Sequence, residues 1–529
     1  MRGQYFKTQI YPKKDYDVQQ FRHLLPEPIL DNKELIDLYW FTVECAFSHA
    51  KEVVKPSKLI ADYQDSAFNQ NLFLWDSAFI SRFTVFFNDF LPGIRTLDNF
   101  YHIQHETGLI PREIHKITGE DYPKWTNDQG LPLHSFFHLR YRYRGLNQVE
   151  THDLLKFYDL KRQPKEVCPY TLDTLNHPIF GYAEYQHYLH TGDAKRLAFI
   201  HDALYHHYDA LYEHLRHTSN LFVTDWASLD NSTRNEKLFL GIDISSEMVM
   251  LANDLIKIYT ILQLDCFDDR IARLKADKEK ISYAIQHYMW DPHTHFFYDL
   301  DEHMNRIMIK TIAGFWPMIA GICTMEQVEY LTSWLLDPHT FYRTNVVPSL
   351  AADEKGYDPR GGYWRGGVWA STNLMVTDGL ERYGKHQIAK HLALKYLNGV
   401  AKVYQDTHTL WELYPADELS KGDSDHSDFV GWTGIGPILY LIQYQLGLKA
   451  DAINHTLYWT IDTTQKRIGM KRFRFLGCQA DLYATIDEHA ITVNIDTKDS
   501  FQCTFIIDER KHTYAIHGTT TLTIKRSNI

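Results

Sequence analysis

Acidic residues close to tryptophan have the chemistry that cleavage of a glycosidic bond requires. Asp225 and Asp230 share one polar segment with Trp226, and Glu412 directly follows Trp411. Such cleavage uses one protonated carboxyl group, which donates to the departing oxygen, and a second carboxylate. Burial against aromatic rings raises the pKa of a carboxyl group and keeps it protonated. The two segments are therefore candidates to supply an acid and a base.

The residue types leave the choice within each segment open. Asp225 is the main rival of Asp230 for the acid, because the two lie five residues apart in the same segment. Asp417 and Glu418 are rivals of Glu412 for the base, but they lack its aromatic neighbours.

Two further segments place tryptophan beside a charged group. One contains Trp75 and Asp76, and the other is a glycine-rich stretch with Trp364 and Arg365. An aromatic ring can stack on the apolar face of a sugar while the charged neighbour binds its hydroxyl groups. The glycine-rich stretch has no Lys-Ser/Thr after its glycines and no apolar strand before it, so it fits neither phosphate-loop nor dinucleotide-binding motifs.

Each segment also has an ordinary structural interpretation. Asp76 would suit the start of a helix, and the segment with Asp230 could simply cap one. A single glutamate such as Glu412 is usually on the surface. Its position between bulky aromatic side chains weakens that interpretation for Glu412.

The composition excludes several classes of protein. The chain has 529 residues, of which 44% are hydrophobic and 23% charged, as in ordinary globular proteins. A net charge of −12 argues against nucleic-acid binding, which needs clustered basic residues. The 14% aromatic content fits either a large helical core or an aromatic-lined sugar cleft.

Nothing in the chain calls for a metal or another cofactor. The six cysteines are scattered without metal-site spacing, and we interpret them as reduced thiols. There is neither an apolar secretory signal near the start nor a membrane-length apolar run. We expect no membrane association and a cytoplasmic location, unless an export signal has been removed; the oligomeric state stays open.

Helical periodicity dominates from about Asn32 onward and gives way to alternating strands after Leu448. About a dozen helices in one region predict six helical hairpins. We expect an N-terminal extension over 1–31, a helical domain over 32–448 and a small all-β domain over 449–529. The N-terminal residues are too few for a domain, and we expect them to pack across the helices. The clearest helices are predicted over 33–53, 76–91, 180–191, 194–216, 245–264, 366–383, 386–404 and 431–446, with weaker candidates over 93–104, 134–143, 268–289, 311–320 and 325–335.

In this order and spacing, the motifs WDSAF, GLIPREI, SLDNS, YWRGGVW, WELY and GWTG resemble glycoside hydrolase family 63. That family includes processing α-glucosidases and the mannosylglycerate and glucosylglycerate hydrolases, and it is distantly related to trehalases. The resemblance spans roughly residues 72–446. It implies a mainly α fold, an (α/α)6 barrel, and hydrolysis with inversion of the anomeric centre and without a cofactor.

The resemblance also implies roles for individual residues. The family's general acid falls on Asp230 and its general base on Glu412. Asn373 follows the tryptophan-arginine-glycine motif on the next helix. The expected sugar-binding residues are Trp75, Asp76, Trp226, Trp364, Arg365, Trp369, Trp411 and Trp432.

Two departures from the family pattern bear on loop rigidity and substrate choice. Thr233 and Gly367 occupy positions where the family usually has proline. The favoured substrate is an α-glucoside cleaved from its end. The alternative is a mannosylglycerate or glucosylglycerate, for which Arg112, Arg234 and Arg360 are candidates to bind the glycerate carboxylate.

Two other classes of function are also open. One is a non-catalytic glycan-binding protein, against which the presence of both acids argues. The other is an epimerase or lyase, which would use histidine; the chain has 29 histidines, but none lies beside the acid pair in these motifs.

Overall fold

The structure is a computed structural model of the chain. It describes residues 16–54, 56–66, 70–104, 108–119, 125–127, 141–143, 177–224, 229, 231–234, 239–263, 265–301, 303–424, 426–428 and 431–525. Helices fill most of the described part up to residue 445, and strands fill the part after it. The α-helices are α1 (Val18–Phe21), α2 (Lys33–Ser48), α3 (Leu74–Thr84), α4 (Thr96–His102), α5 (Phe180–Thr191), α6 (Ala194–Leu215), α7 (Ile242–Leu262), α8 (Asp268–Ala284), α9 (Trp316–Ala320), α10 (Met325–Leu336), α11 (Ala370–Arg382) and α12 (His386–Thr407).

Five α-helices and one π-helix, Gly436–Gln445, form an inner layer. Contacts run from α3 to α5, then to α7, α9 and α11. The short 3₁₀ helix Thr433–Ile435 contacts both α11 and α3, so the series of contacts returns to its start. These inner helices are largely buried; α11, for example, is buried over most of its length.

A second layer packs outside the first. Helix α6 contacts α5 and α7, α8 contacts α7, and α12 contacts α11 and the π-helix. Helix α2 contacts the π-helix and α12. Because an outer helix follows an inner one along most of this region, its chain runs in helical hairpins. Their amphipathic faces bury the apolar stripe that the sequence periodicity predicts.

The C-terminal residues form two sheets. One has the order β1-β16-β17-β18-β21, and the other β14-β15-β19-β20. Burial alternates along β18, where Ile491, Val493 and Ile495 face the interior, as expected for a sheet with one covered face. The strands of these sheets are β1 (Glu27–Leu30), β14 (Leu448–Asp451), β15 (Thr456–Thr460), β16 (Arg467–Phe475), β17 (Cys478–Ile486), β18 (Ala490–Thr497), β19 (Ser500–Ile507), β20 (Arg510–His517) and β21 (Thr520–Lys525).

The N-terminal segment joins the C-terminal sheet. Strand β1 pairs antiparallel with β16, and Arg472 donates to the Glu27 carboxylate at 2.7 Å. The segment also contacts the helices, since the Tyr39 hydroxyl donates to the Pro26 carbonyl at 2.8 Å. The segment therefore contacts the helices, as expected, and also adds a strand to the C-terminal sheet.

Short strands occur between the helices. Among the weaker helix predictions, 134–143 is wrong at its end, because residues 141–143 form a strand; its other residues lie outside the described part. The short strands are β2 (Ala50–Lys51), β3 (Tyr63–Gln64), β4 (Asn71–Phe73), β5 (Glu113–His115), β6 (Trp125–Asn127), β7 (Tyr141–Tyr143), β8 (Val223–Thr224), β9 (Phe239–Leu240), β10 (Trp290–Asp291), β11 (Phe296–Phe297), β12 (Asp299–Leu300) and β13 (Arg306–Ile307).

Of the helices that the structure describes, none combines the length and the apolar character needed to cross a membrane.

Candidate active site

Four of the predicted site residues lie at the N-terminal ends of inner helices. Trp75 and Asp76 lie in the first turn of α3, and Trp369 immediately precedes α11. Trp432 immediately precedes the 3₁₀ helix Thr433–Ile435. Asp230, Asp225 and Trp226 lie outside the described residues.

Glu412 lies in a loop and is only 3% exposed. Its backbone carbonyl accepts a hydrogen bond from the Trp432 indole at 2.7 Å. Its backbone N–H donates to the His426 carbonyl at 3.2 Å, and the His426 Nε2 atom lies 3.7 Å from the Glu412 carboxylate. The surface interpretation of this glutamate is therefore wrong, because Glu412 is buried and its loop is bonded to Trp432.

The tryptophans near Glu412 form a continuous wall. Trp364 stacks on Trp369, with ring centroids 4.2 Å apart and an angle of 9° between the planes. Trp369 in turn meets Trp432 edge-on at 5.5 Å and Tyr363 at 4.9 Å. Because Trp369 is completely buried, in this structure it supports the wall from behind.

A short backbone ladder joins this wall to the Glu412 loop. Val368 and Tyr414 exchange two hydrogen bonds, at 2.8 and 3.1 Å. The Tyr414 hydroxyl also accepts from the Trp411 N–H at 3.3 Å, and the Trp411 indole donates to Thr407 at 3.1 Å. Val368 is thus in strand pairing rather than in a helix, which explains why α11 begins at Ala370 and not at the predicted residue 366.

Gly367 is required by this local conformation. Its N–H donates to the Tyr363 carbonyl at 3.0 Å, and a Cβ atom at this position would clash with the same carbonyl oxygen. Proline would remove the donor and add the clashing atom. Proline, the family's usual residue, therefore does not fit at position 367, because the Tyr363 carbonyl lies too close.

The segment containing the expected acid is tied to the tryptophan wall through Asn231. The Asn231 side chain accepts from the Trp364 N–H at 3.1 Å and donates to the Gly362 carbonyl at 3.2 Å. Asn231 has φ +51°, a conformation that asparagine tolerates better than most residues. Since Asn231 directly follows Asp230 in the chain, these bonds link the segment of the expected acid to the tryptophan-arginine-glycine motif.

Arg234 is buried inside the protein between two acids. Its guanidinium is fully buried and bridges Asp243, at 2.7 Å, and Asp299, at 2.9 Å. Burial raises the pKa of Asp299, although the charge of Arg234 opposes that shift. The prediction that Arg234 could bind a substrate carboxylate is wrong, because its charge is already shared between two buried acids; it anchors the loop to the start of α7.

The other two arginine candidates also have acidic partners. Arg360 is exposed and pairs with Asp423 at 2.8 Å. Arg112 forms an ion pair with Glu113, and its charge acts on Asp76, where it opposes the rise in the pKa of that carboxyl group. Of the three, Arg112 is therefore the one near the Trp75–Asp76 pair.

Asp76 is buried, with 6% of its surface exposed. Burial raises its pKa to about 7, and the nearby Ser66 hydroxyl and the charge of Arg112 oppose the rise. The neighbouring Trp75 ring is half-buried and packs against Phe79 at 4.7 Å and His177 at 4.8 Å. A carboxyl group that titrates near neutral pH beside an aromatic ring can either donate to or accept from a sugar hydroxyl.

Arg365 and Asn373 bind backbone groups. The Arg365 Nε atom donates to the Gly356 carbonyl at 2.9 Å. The Asn373 amide bonds both backbone groups of Val347, at 2.8 and 3.2 Å. Asn373 therefore holds the backbone before α11 in place, which is a positioning role.

A buried polar group that no sequence motif indicates lies next to Trp75. The His177 Nδ1 atom lies 2.7 Å from Glu247, whose other oxygen accepts from the Trp316 indole at 2.8 Å. Burial alone would lower the pKa of His177, but Glu247 more than offsets it, and the pKa is raised. Nothing in the spacing of these three residues links them, since each belongs to a different inner helix or the loop before it.

In the described part of the chain, no group of three or more histidine, cysteine or acidic residues could hold a metal ion.

Comparison with solved structures identifies proteins that share this fold. The family 63 mannosylglycerate hydrolase of Thermus thermophilus, solved with glucose, matches with a TM-score of 0.54 and 16% identity, over 76% of this chain and 99% of that one. A family 78 rhamnosidase of a Bacillus species matches with a TM-score of 0.55 and 12% identity, over 94% of this chain and 43% of that one. At these identities the likeness defines the fold.

Sequence comparison then defines the family. The protein-family model described as "Mannosylglycerate hydrolase MGH1-like glycoside hydrolase domain" matches residues 70–427, and the chain belongs to this family. This confirms the resemblance to glycoside hydrolase family 63. An uncharacterised protein of Borreliella burgdorferi is 27% identical over 309 residues, which is 55% of this chain and 64% of that relative.

Proposed function

We propose that the protein is an inverting α-glycosidase in which Glu412 is the general base and Asp230 the general acid. The observation that supports this most is that Glu412 is buried and bonded through its backbone to Trp432 of the tryptophan wall, while Asn231, next to Asp230, is bonded to Trp364 of the same wall. Asp230 would protonate the glycosidic oxygen while Glu412 takes a proton from water on the opposite face. An inverting pair needs about 6.5–9.5 Å between its carboxyl groups to admit that water.

The surroundings of the rival bases favour Glu412. Asp417 is paired with Arg343 at 2.6 Å, and Glu418 is exposed and lies 3.6 Å from Arg360. An acid already paired with arginine on an open surface is a poor base for water held against a sugar. Asp225 stays the rival of Asp230.

The closed series of inner helices supports an (α/α)6 barrel, with the substrate entering at the N-terminal ends of these helices. We propose the domain limits 32–448 for this barrel and 449–529 for the β-domain, with 1–31 as an extension that adds β1 to the sheet. Asp76, Trp75 and Arg365 would surround the terminal sugar, giving cleavage from the chain end.

For the substrate we propose an α-glucoside. A mannosylglycerate or glucosylglycerate is an equally supported second candidate, because the family model and the Thermus thermophilus structure both bear the name of a mannosylglycerate hydrolase. With Arg234 excluded, Arg112 is the residue we propose for binding a glycerate carboxylate. Its position beside Asp76 would place that group next to the sugar.

The test is hydrolysis of α-glucosides, α-mannosides and glycosylglycerates, with the released anomer followed by proton NMR. Asp230→Asn and Glu412→Gln should each lower kcat by about 10²–10⁴-fold, the usual contribution of a general acid or base. Glu418→Gln is the matched control, because it makes the same change on an exposed acid in the same loop, and it should keep wild-type activity.

The outcomes separate the candidate functions. Release of the β-anomer from an α-glycoside supports inversion, and release of the α-anomer contradicts it. Wild-type activity in Glu412→Gln would rule out the proposed base. A wild-type protein that binds a sugar and cleaves none of the panel would favour a non-catalytic glycan-binding protein.

A further inference from the structure

A polar cavity lies at the opposite end of the inner helices from the candidate active site. It has a volume of about 270 Å³ and is lined by residues of α3, α5, α7, α9 and α11 and of the π-helix. On α3, Arg82 lines the cavity while Asp76 belongs to the active site; six residues of helix separate them by about 9 Å. The same helices therefore present two separate polar regions.

The cavity is basic, although the chain as a whole carries a net charge of −12. Four basic side chains face three acids, leaving one positive charge in excess. The basic residues are Arg82, Lys257, Arg382 and Lys449, and the acids are Asp254, Asp378 and Glu381.

Arg82 is the buried member of this group, with 6% exposure. It pairs with Asp378 at 3.2 Å and donates to Gln186 at 2.9 Å. The Tyr182 hydroxyl donates to the same Asp378 carboxylate at 2.6 Å. The Arg82 Nε–H is nevertheless buried without an acceptor among the described residues. A buried donor left in this state costs free energy that an incoming acceptor would recover.

Arg382 is a second, exposed guanidinium at the cavity. Within the described part of the chain it forms no ion pair, whereas Lys257 pairs with Asp254 at 2.9 Å and Lys449 lies 3.8 Å from Glu381. Its guanidinium packs directly over Gly321, where the Cβ of any other residue would clash with it. Gly321, which ends α9 with φ +75°, thus leaves room for the guanidinium at the cavity.

We propose that this cavity binds a small dianion, either a phosphate-bearing or a dicarboxylate molecule. Guanidinium groups bind both through paired, charge-assisted hydrogen bonds, and two of them here have unused donors. Asp378 and Tyr182 hold Arg82 in place, and Lys449 adds positive charge at the rim. The proposal is independent of the activity proposed for the other end of the helices.

Isothermal titration calorimetry with inorganic phosphate and, separately, malonate tests the proposal, with potassium chloride at matched ionic strength as the blank. We expect saturable binding of at least one dianion by the wild-type protein, and the stronger of the two identifies the class. Arg382→Gln should weaken that binding at least tenfold and Lys449→Gln several-fold. Because Arg382 is exposed, its variant should fold normally, which circular dichroism checks.

Arg467→Gln is the matched control, since Arg467 is an exposed residue of β16 outside the cavity. It should bind as the wild type does. The proposal is overturned if neither dianion gives saturable heat, or if Arg382→Gln binds as tightly as Arg467→Gln. In the second case the basic residues serve only to offset the negative C-terminal ends of the helices.

Discussion

The wild-type protein should lose stability as the pH rises, and replacing Asp76 by asparagine should remove that loss. Burial raises the pKa of Asp76 from its ordinary 3.8 to about 7. The folded protein therefore binds this proton more tightly than the unfolded chain does. The stabilisation is fully present below about pH 4 and is lost as the pH rises through about 7.

The size of the effect follows from the shift. A change of about three pKa units corresponds to about 4 kcal/mol, as an upper estimate. For 529 residues, an unfolding entropy of about 2.1 cal/mol/K per residue converts this into a change in Tm of about 3–4 °C. Asparagine cannot ionise, so the Tm of Asp76→Asn relative to wild type should rise by that amount between pH 4 and pH 8.

Differential scanning calorimetry at several pH values, at one scan rate, measures this difference. Asp269→Asn is the matched control, because Asp269 also lies in the first turn of a helix but is exposed, and an exposed carboxylate has no burial cost to relieve. A constant difference between Asp76→Asn and wild type across this range, or a difference of the opposite sign, would refute the reasoning.

Three further substitutions test how the site is held together. Arg234→Met leaves Asp243 and Asp299 buried without their common partner, which should cost about 3–5 kcal/mol and lower the Tm by about 3–5 °C in calorimetry. Gly367→Pro removes a hydrogen bond and adds a clash, so we expect the Tm to fall by about 3 °C instead of rising as it would at a compatible position. Asn231→Gly keeps the backbone conformation but removes two hydrogen bonds between the loops; steady-state kinetics should show kcat about tenfold lower with a smaller change in KM.

Much of the helical region is predictable from periodicity. Helix α5 begins and ends at its predicted residues, and α6 and α12 begin where predicted. Their amphipathic pattern determines both the helix and the face that it buries. The predicted 33–53 helix, by contrast, ends at Ser48, because the chain turns at His49 and Ala50–Lys51 form a short strand that pairs with β3.

Periodicity does not indicate which distant segments of the chain pair with each other. The pairing of β1 with β16 joins residues more than four hundred positions apart, and no local pattern points to it. The same holds for the ladder between Val368 and Tyr414, which shortens α11 relative to the prediction. In both cases tertiary hydrogen bonds decide the backbone conformation against the local preference.

In the candidate site, too, the type of a residue does not by itself determine its role. The sequence alone indicates that Arg234 carries a charge close to the expected acid, and that property fits a ligand-binding and an anchoring role equally well. Its role is decided by Asp243 and Asp299, which come from the start of α7 and from β12 and surround the guanidinium completely. Glu412 is the opposite case: its aromatic neighbours in the sequence already indicate burial, and the structure confirms it. The burial of a charged residue can therefore be predicted from sequence when its own neighbours are bulky and aromatic, whereas partners that come from distant segments cannot be.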